Sequence, residues 1–479
     1  MISHWIGGRP VEGKATFDVY DPSVGTTYDV AADGGADEID RAVRVAQSTY
    51  DSQWSSLTPS RRAALLAEVA ARLPKLYGDL GFIQSRDAGK PISFVENREL
   101  PGLAGEFAAY ASLMGRFRDR LHSNDEISYG LTITQPYGVV GVIVPFNAPL
   151  GVTAEKTAQA LAAGNCVVIK PSPLAPASIP VFVRLLEQAG MPPGVVNVVQ
   201  GSGSEAGQAL CEHPLVSRIS FTGSTAVGQT IVRDSAQMLK RVTLELSGKN
   251  PCLVFPDANL KAAAANAAFS AFLNAGQTCT SASVILVHRE VSDHFCQSFI
   301  DEARALAIGI ATDPVTELGP LISEQRRASV MEWTSPKRPD THLLFSGVVP
   351  EHLKGWFVAP HVFYVNDRTD PLLQEEIFGP IVAIIPFDDE DEAVSIANQT
   401  KYGLASFLWT FDARRIHRIA RRLQAGRVWV NTGHSIPDDM SLPAWKMSGL
   451  GIEGGLEGME SFRQFKTINV NLHGDAPHR

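Results

Sequence analysis

The sequence lacks several features that mark membrane, nucleic-acid-binding and secreted proteins. No apolar run approaches the ~20 residues that a membrane-spanning helix requires. The formal net charge is −9, so the basic face of a nucleic-acid-binding protein is not expected. The N-terminal MISHWIGGRPVEGK has no basic region followed by an apolar core, which is the pattern of a secretory signal. These absences predict a cytoplasmic protein without a nucleic-acid or membrane partner.

Cysteine is also scarce, and its distribution argues against structural cross-links. The five cysteines include no CxxC pair, and the 12 histidines are equally dispersed. Neither a disulfide framework nor a metal site is therefore predicted. One cysteine, Cys279, lies among small polar residues in NAGQTCTSAS rather than among apolar ones. Free backbone N–H groups after it would favour a thiolate, so Cys279 is a candidate nucleophile, although a buried cysteine in a small-residue turn is the alternative.

Length and hydrophobic patterning predict more than one α/β unit. A chain of 479 residues is too long for one ordinary core. The apolar runs VVGVIVP, CVVIKPS, VVNVVQG and VSRISFTGS alternate with helical stretches. This alternation predicts a parallel sheet covered on both faces, which binds ligands at the C-terminal ends of its strands. The rhythm changes at RVTLELSGKNPCLVF, so a domain boundary is expected near Ser247.

Four further residues stand where chemistry is possible, but each has a simpler explanation. Glu245 lies in an apolar strand, where a carboxylate is costly unless it is paired or functional, yet an edge-strand position facing water would also explain it. Asn147 follows the first apolar strand and could donate to an oxyanion, or simply form a turn. Gly223 in FTGS could help to cradle a phosphate at a helix N-terminus. Lys170 ends a strand and could bind a ribose or phosphate, or only water.

The order of the short motifs is more informative than any one of them. The chain contains PFN, IKPS, FTGS, LELSGK, GQTC, EEIFGP and KMSG in that order. This set resembles the aldehyde dehydrogenase superfamily, in its NAD(P)-dependent, non-acylating (hydrolytic) branch. The resemblance runs from WIGGRPVEG near the N-terminus to FKTINV near the C-terminus, which is nearly the whole chain.

The resemblance implies an α/β fold of three parts and an oligomer. A Rossmann-like NAD(P)-binding domain would take residues 1–117 and 137–247. An α/β catalytic domain would take residues 248–446. A small β oligomerisation element, residues 118–136 and 460–479, would add strands across a subunit boundary in a homodimer or homotetramer.

The resemblance also implies a role for each site residue. Cys279 would attack the aldehyde, and Asn147 with the backbone N–H of Cys279 would form the oxyanion hole. Glu245 would act as general base, and Lys156 would help to relay protons. The residues expected to bind NAD or NADP are Lys170, Ser172, Gly223, Ser224, Glu376 and Phe378. The residues expected to face the aldehyde are Ala148, Val152, Glu155, Thr278, Thr280 and His434.

Departures from the family pattern bear on cofactor and substrate. Pro173 stands where NAD-preferring members often have Glu, so both NAD and NADP are expected to bind. No arginine is expected in the pocket, and Glu155, Asp438 and Asp439 would disfavour a carboxylate there, so a neutral aliphatic or aromatic aldehyde is predicted. The alternatives are an acylating, coenzyme A-dependent dehydrogenase, an idle scaffold of the same fold, or a cysteine hydrolase with a histidine base.

Overall fold

The computed structural model describes residues 1–123, 128–435, 437 and 439–472. Asp438 and parts of the predicted oligomerisation element lie outside the described residues. Within the described ranges the α-helices are α1 Ala36–Thr49, α2 Pro59–Arg72, α3 Leu80–Ala88, α4 Ile92–Phe94, α5 Leu100–Leu113, α6 Pro149–Ala163, α7 Ser178–Gln188, α8 Gln208–Glu212, α9 Thr225–Ala236, α10 Leu260–Phe272, α11 Ser292–Ala305, α12 Glu324–Met331, α13 Glu390–Asn398, α14 Ala413–Ala420 and α15 Gly455–Ser461. The strands are β1 His4–Ile6, β2 Arg9–Val11, β3 Ala15–Asp21, β4 Thr26–Asp33, β5 Arg120–Ser123, β6 Ser128–Pro136, β7 Val139–Ile143, β8 Cys166–Lys170, β9 Val196–Val198, β10 Val216–Thr222, β11 Arg241–Glu245, β12 Pro251–Val254, β13 Val284–His288, β14 Thr341–Ser346, β15 His361–Val365, β16 Ile381–Phe387, β17 Tyr402–Gly403, β18 Ala405–Trp409, β19 Arg427–Val430, β20 Leu442–Pro443, β21 Trp445–Lys446, β22 Gly449–Leu450, β23 Ile452–Glu453 and β24 Arg463–Asn471.

The first large sheet has the order β2-β1-β9-β8-β7-β10-β11-β22. Its centre, from β9 to β11, is parallel, while β1 and β22 add to its two sides in antiparallel pairing. Every residue of β7 and β8 is buried, because helices cover both faces of the sheet. The strand order reverses between β7 and β10, and open α/β sheets bind ligands at the carboxyl end of such a reversal.

The second large sheet has the order β14-β15-β16-β13-β12-β18-β19. All its pairs are parallel except β14 with β15. The predicted boundary near Ser247 falls between β11, in the first sheet, and β12, in the second. Each sheet packs in its own cluster of buried apolar residues, as expected when a chain is too long for one core.

A third, antiparallel sheet of order β24-β6-β5 contains most of the predicted oligomerisation element. Its residues Leu121 and Phe465 are 70% and 74% exposed. Large apolar side chains are usually covered, so this exposure is consistent with a surface that another subunit covers. Among the described residues, no helix is long and apolar enough to cross a membrane.

Local sequence explains where the helices next to the first sheet begin and end. The Thr58 hydroxyl accepts from the backbone N–H of Arg61, and Pro59 opens α2, as the sequence predicts. α6 similarly begins at Pro149 and ends where Gly164 adopts φ 100°. That left-handed conformation favours glycine, so the chain leaves the helix there and enters β8.

Candidate active site

The segment before Cys279 has an unusual backbone. After α10 ends, Asn274, Ala275 and Gly276 have φ values of 52°, 56° and 74°. A Cβ at Gly276 would lie 2.2 Å from the carbonyl oxygen of Gly379, so no other residue fits without movement. Left-handed conformations at non-glycine residues cost energy and cluster at functional sites. This bend turns the chain so that Cys279 faces a cavity.

The backbone of Cys279 is held from the link between β11 and β12. The Asn250 side-chain amide donates to the carbonyl oxygens of Cys279, at 2.8 Å, and Ser281, at 2.9 Å. A Cβ at Gly248 would lie 2.3 Å from the Cys279 carbonyl oxygen. The link between the two large sheets therefore fixes the backbone of Cys279.

The Cys279 thiol is not poised as a thiolate, which corrects the expectation from sequence. Burial raises the pKa of the Cys279 thiol to about 11, and the nearby carboxyls of Glu245 and Glu376 add to the rise. The Arg427 guanidinium opposes it. The element after Cys279 is the strand β13. It is not a helix, whose N-terminal N–H groups would stabilise a thiolate.

A cavity of about 850 Å³ opens in front of Cys279 and gathers most of the predicted site. Predicted residues in its wall are Asn147, Ala148, Val152, Lys170, Ser172, Gly223, Ser224, Thr278, Cys279, Glu376, Phe378 and His434. Lysine, serine, amide and carboxylate groups thus stand in one mostly apolar enclosure, which is the usual character of a small-molecule site.

Asn147 is positioned by the segment that precedes Cys279. The side-chain amide of Asn147 donates to the backbone carbonyl of Gln277 at 2.9 Å, and the backbone carbonyl of Asn147 accepts from the side-chain amide of Asn274 at 3.2 Å. The Gln277 amide donates back to the carbonyl of Asn274 at 3.0 Å. These bonds use one N–H of the Asn147 amide and leave the second for a ligand in the cavity.

One end of the cavity has the donors and acceptors that a dinucleotide requires. The Ser224 hydroxyl caps α9 by accepting from the backbone N–H of Val227. Because Ser224 also lines the cavity, the N-terminus of this helix faces it. Lys170 ends β8, and burial lowers its pKa to about 8. Glu376 accepts from the backbone N–H of Gly248 at 2.9 Å. The residues present therefore fit a nicotinamide cofactor.

Phe378 and Ser172 complete that end of the cavity. Phe378 has φ 56°, a strained value for an aromatic residue, and its ring meets Phe146 edge-on at a centroid distance of 5.9 Å. The guanidinium of Arg326 lies 5.9 Å from the same ring. The Ser172 hydroxyl accepts from the backbone N–H of Leu174 at 3.3 Å, within a local turn.

Glu245 is buried rather than facing water, but it does not line the cavity. Its Oε2 accepts from Arg427 Nη2 at 2.7 Å, and the two side chains are 11% and 13% exposed. Burial raises the pKa of Glu245 to about 8, although the Arg427 guanidinium opposes this rise. The next two residues, Leu246 and Ser247, do line the cavity.

Lys156 also lies behind the cavity, in a buried polar cluster. Its ammonium donates to Glu453 Oε1 at 2.6 Å and to the Ser220 hydroxyl at 2.8 Å. Lys156 is therefore paired inside the protein and is not a solvated lysine on the helix surface. Glu453 was missed from sequence because it comes from a short strand, and nothing in GIEGG marks a partner nearly 300 residues earlier.

Two predicted substrate residues do not reach the cavity. Glu155 points away from it toward Gln159, whose amide donates to Glu155 Oε1 at 3.3 Å, and burial raises the pKa of this carboxyl. Thr280 is buried, 7% exposed. Asp439 is exposed and pairs with Arg116 at 3.3 Å, so it does not line the cavity either. Neighbours of a site residue in sequence point in different directions on a helix or turn, which explains these errors.

Arginine is present in the cavity wall, which corrects a second expectation. Arg98 lines the cavity with Phe94 and Phe269, and its guanidinium is 6.0 Å from the Phe269 ring, while Arg326 lines it beside Phe378. Arg98 forms no ion pair with any residue that the structure describes. The neighbouring acid Glu99 is already paired with Lys90 at 2.9 Å. Arg98 was missed because it precedes Asn147 by a whole helix and three strands.

Comparisons with known proteins decide the family. Residues 10–468 match the model of the aldehyde dehydrogenase family. The chain belongs to the aldehyde dehydrogenase family. The predicted resemblance is thereby confirmed, and so is the oxidation of aldehydes to acids with a nicotinamide cofactor.

Relatives of this aldehyde dehydrogenase include enzymes with different substrates. It is 36% identical over 480 residues to 2-aminomuconic semialdehyde dehydrogenase from Danio rerio, covering 98% of each chain. PnpE in complex with nicotinamide adenine dinucleotide has a TM-score of 0.95 at 36% identity, covering 99% of this chain and 98% of that one. A mutant of the P. syringae AldA indole-3-acetaldehyde dehydrogenase, in complex with NAD+ and IAA, has a TM-score of 0.95 at 33% identity, covering 98% and 97%. These matches confirm the predicted α/β aldehyde dehydrogenase fold.

Proposed function

We propose that Cys279 is the nucleophile and that Asn147 stabilises the oxyanion. The observation that carries this proposal is the single cavity that holds Cys279, Asn147 and the predicted cofactor residues. The Cys279 thiol gives its proton to water in the cavity, and the sulfur bonds to the aldehyde carbon and gives a thiohemiacetal. The negative oxygen takes hydrogen bonds from the free N–H of the Asn147 amide and from the backbone N–H of Cys279.

The cofactor residues position the acceptor of the hydride. Lys170, Ser172, Gly223 and Ser224 would hold the adenosine and pyrophosphate portions, while Glu376 and Phe378 would hold the nicotinamide portion. The chemistry that NAD(P)+ would supply there is a two-electron acceptor for the hydride of the thiohemiacetal carbon, which would leave a thioester on Cys279. Pro173 places no carboxylate against a 2′-phosphate, so we expect both NAD and NADP to serve.

Glu245 completes the reaction as the general base. It takes a proton from water, whose oxygen attacks the thioester carbon. The carbon–sulfur bond then breaks, the electron pair returns to sulfur, and the carboxylic acid leaves. Lys156 relays this proton by passing one ammonium proton to Glu453, to which it donates at 2.6 Å, before it accepts the next one.

The substrate end of the cavity favours an aldehyde with an apolar body and an anionic far end. Phe94, Val152 and Phe269 offer apolar surface, and Arg98 offers a guanidinium that no described acid neutralises. A planar guanidinium binds a carboxylate in two parallel hydrogen bonds. The Danio rerio relative acts, by its name, on a semialdehyde, which carries a carboxyl group at its other end. We therefore prefer a carboxylate-bearing aldehyde to the neutral one expected from sequence.

A neutral aromatic aldehyde is the second candidate. The apolar wall favours it, and the P. syringae relative is named for indole-3-acetaldehyde. Arg98 is exposed, so its charge is screened and a neutral ring could stack beside it.

The test measures NADH or NADPH absorbance with paired aldehydes of equal length, one ending in a carboxylate and one in a methyl group. We expect kcat/KM to favour the carboxylate member, and Arg98→Met to remove that preference while sparing the methyl member. Arg118→Met is the matched control, because Arg118 is exposed and, among the described residues, its guanidinium bonds only to nearby carbonyls. If the ratio of kcat/KM between the two aldehydes is the same in Arg98→Met as in the wild type, the carboxylate proposal is wrong and the neutral aldehyde is the better candidate. Turnover that survives in Cys279→Ala would reject the proposed chemistry.

Location and assembly are part of the same proposal. All five cysteines are free thiols and four are buried, which suits the reducing cytoplasm. The exposed apolar residues of the β24-β6-β5 sheet support a homodimer or homotetramer. Light scattering of the protein with and without Phe465→Asp tests the assembly, since a charge on that face should favour the monomer.

A further inference from the structure

The buried contact between Arg427 and Glu245 joins the two large sheets. Glu245 is the last residue of β11, and Arg427 is the first residue of β19. Arg427 cannot shift easily, because its N–H donates to the Leu404 carbonyl at 3.2 Å and the preceding Gly426 packs directly on Pro443. The backbone of Arg427 is therefore held in place on the side of the second sheet.

The Arg427–Glu245 pair leaves one hydrogen-bonding atom of each side chain without a partner. Arg427 Nη2 binds Glu245 Oε2, but Glu245 Oε1 and Arg427 Nε are both buried without a hydrogen-bond partner among the described residues. A buried acceptor without a partner is costly and calls for an explanation. A role in catalysis explains it, because Glu245 Oε1 must be free to accept a proton from water during turnover.

The position of Glu245 gives the second observation. The carboxylate lies beside the cavity without lining it, whereas Leu246 and Ser247 form part of the wall. A rotation of the side chain must therefore precede its contact with water in the cavity. The contact with Arg427 fixes the position from which this rotation starts.

We propose that Arg427 is a positioning residue for thioester hydrolysis, which binds one oxygen of the Glu245 carboxyl beside the cavity and favours its ionised form. This inference rests on the proposed function. Without the guanidinium, the carboxyl would lose the cation that opposes the rise of its pKa, and a smaller fraction of it would be ionised at neutral pH. The ionisable groups that face Glu245 are Arg427, Lys156, Glu155, Glu453 and Cys279.

The test follows the decay of the acyl group on Cys279 after a single turnover. The protein is mixed with NAD+ and aldehyde, quenched with acid at intervals, and its acylated mass is measured from pH 6 to 10. In Arg427→Met we expect decay to slow about tenfold or more at pH 7 and to recover at higher pH, an alkaline shift of about one unit or more. Arg427→Lys, which keeps a cation, should restore the wild-type pH profile.

A double variant shows whether Arg427 acts through Glu245. Glu245→Gln removes the base, so Arg427→Met added to it should slow decay no further. Additive losses, or a pH profile that Arg427→Met leaves unchanged, would overturn the positioning role. An acyl group that never appears on Cys279 in the wild-type protein would instead overturn the proposed chemistry. Thermal unfolding of each variant identifies any that fail to fold. If Arg427→Met fails to fold, the pH profile of Arg427→Lys decides whether Arg427 is a positioning residue.

Discussion

The buried pair of Lys156 and Glu453 allows a sharp test of stability. The two side chains are 1% and 2% exposed, and Ser220 donates to Glu453 Oε1 at 2.6 Å while accepting from the Lys156 ammonium. Each charge therefore has its partner, and water reaches neither. Removing one partner leaves an uncompensated buried charge, which costs about 3–5 kcal/mol.

We expect Glu453→Gln to lower the free energy of unfolding by about that amount, whereas the double change Lys156→Met with Glu453→Leu should cost far less. The exposed pair Arg44 and Asp40, 68% and 45% exposed, is the matched control. Asp40→Asn should cost only ~0–1 kcal/mol, because water solvates both groups. The measurement is urea unfolding by circular dichroism at one fixed protein concentration, after reversibility has been verified. A Glu453→Gln cost equal to that of Asp40→Asn would refute the reasoning.

Three further predictions concern the site. Asn147→Ala should lower kcat about 10²–10³-fold with little change in KM, because it removes a donor to the oxyanion; a raised KM at constant kcat would contradict this. Burial raises the pKa of the Cys279 thiol to about 11, so the rate of iodoacetamide labelling of the cofactor-free protein should rise with pH up to about pH 11. A labelling rate that is constant above a pH below 8 would contradict the raised pKa. Gly276→Ala should destabilise the protein by ~1–3 kcal/mol, since its Cβ would meet the Gly379 carbonyl at 2.2 Å in a left-handed backbone. Gly102→Ala, in a helix with open space around it, should instead be neutral or stabilising, and equal losses in urea unfolding would contradict the steric explanation.

Periodicity and local chemistry were enough to predict much of the fold. The runs VVGVI and CVVIK are entirely buried in parallel strands, as continuous apolar patterns indicate. Thr58 and Pro59 begin a helix, because hydroxyl capping and a fixed proline φ act within one turn. The order of motifs predicted the family, which the comparisons confirm. These features depend on neighbours in the chain, so the sequence displays them directly.

The environment of each site residue could not be read in the same way. Cys279 has small polar neighbours in the chain, yet burial raises the pKa of its thiol. Glu155 and Lys156 follow closely after Asn147 in the chain, but neither lines the cavity. Arg98 lines the cavity from the segment between α4 and α5, far from Asn147 in the chain.

The sequence by itself determined the type of secondary structure, the family and the identity of the groups available for chemistry. It did so because hydrogen bonding, capping and side-chain alternation act over a few residues. Only the tertiary structure decided that Arg427 pairs with Glu245, that Glu453 pairs with Lys156 and that Arg98 lines the cavity. Burial and Coulomb energies depend on distances between segments hundreds of residues apart, and those distances exist only once both sheets have packed.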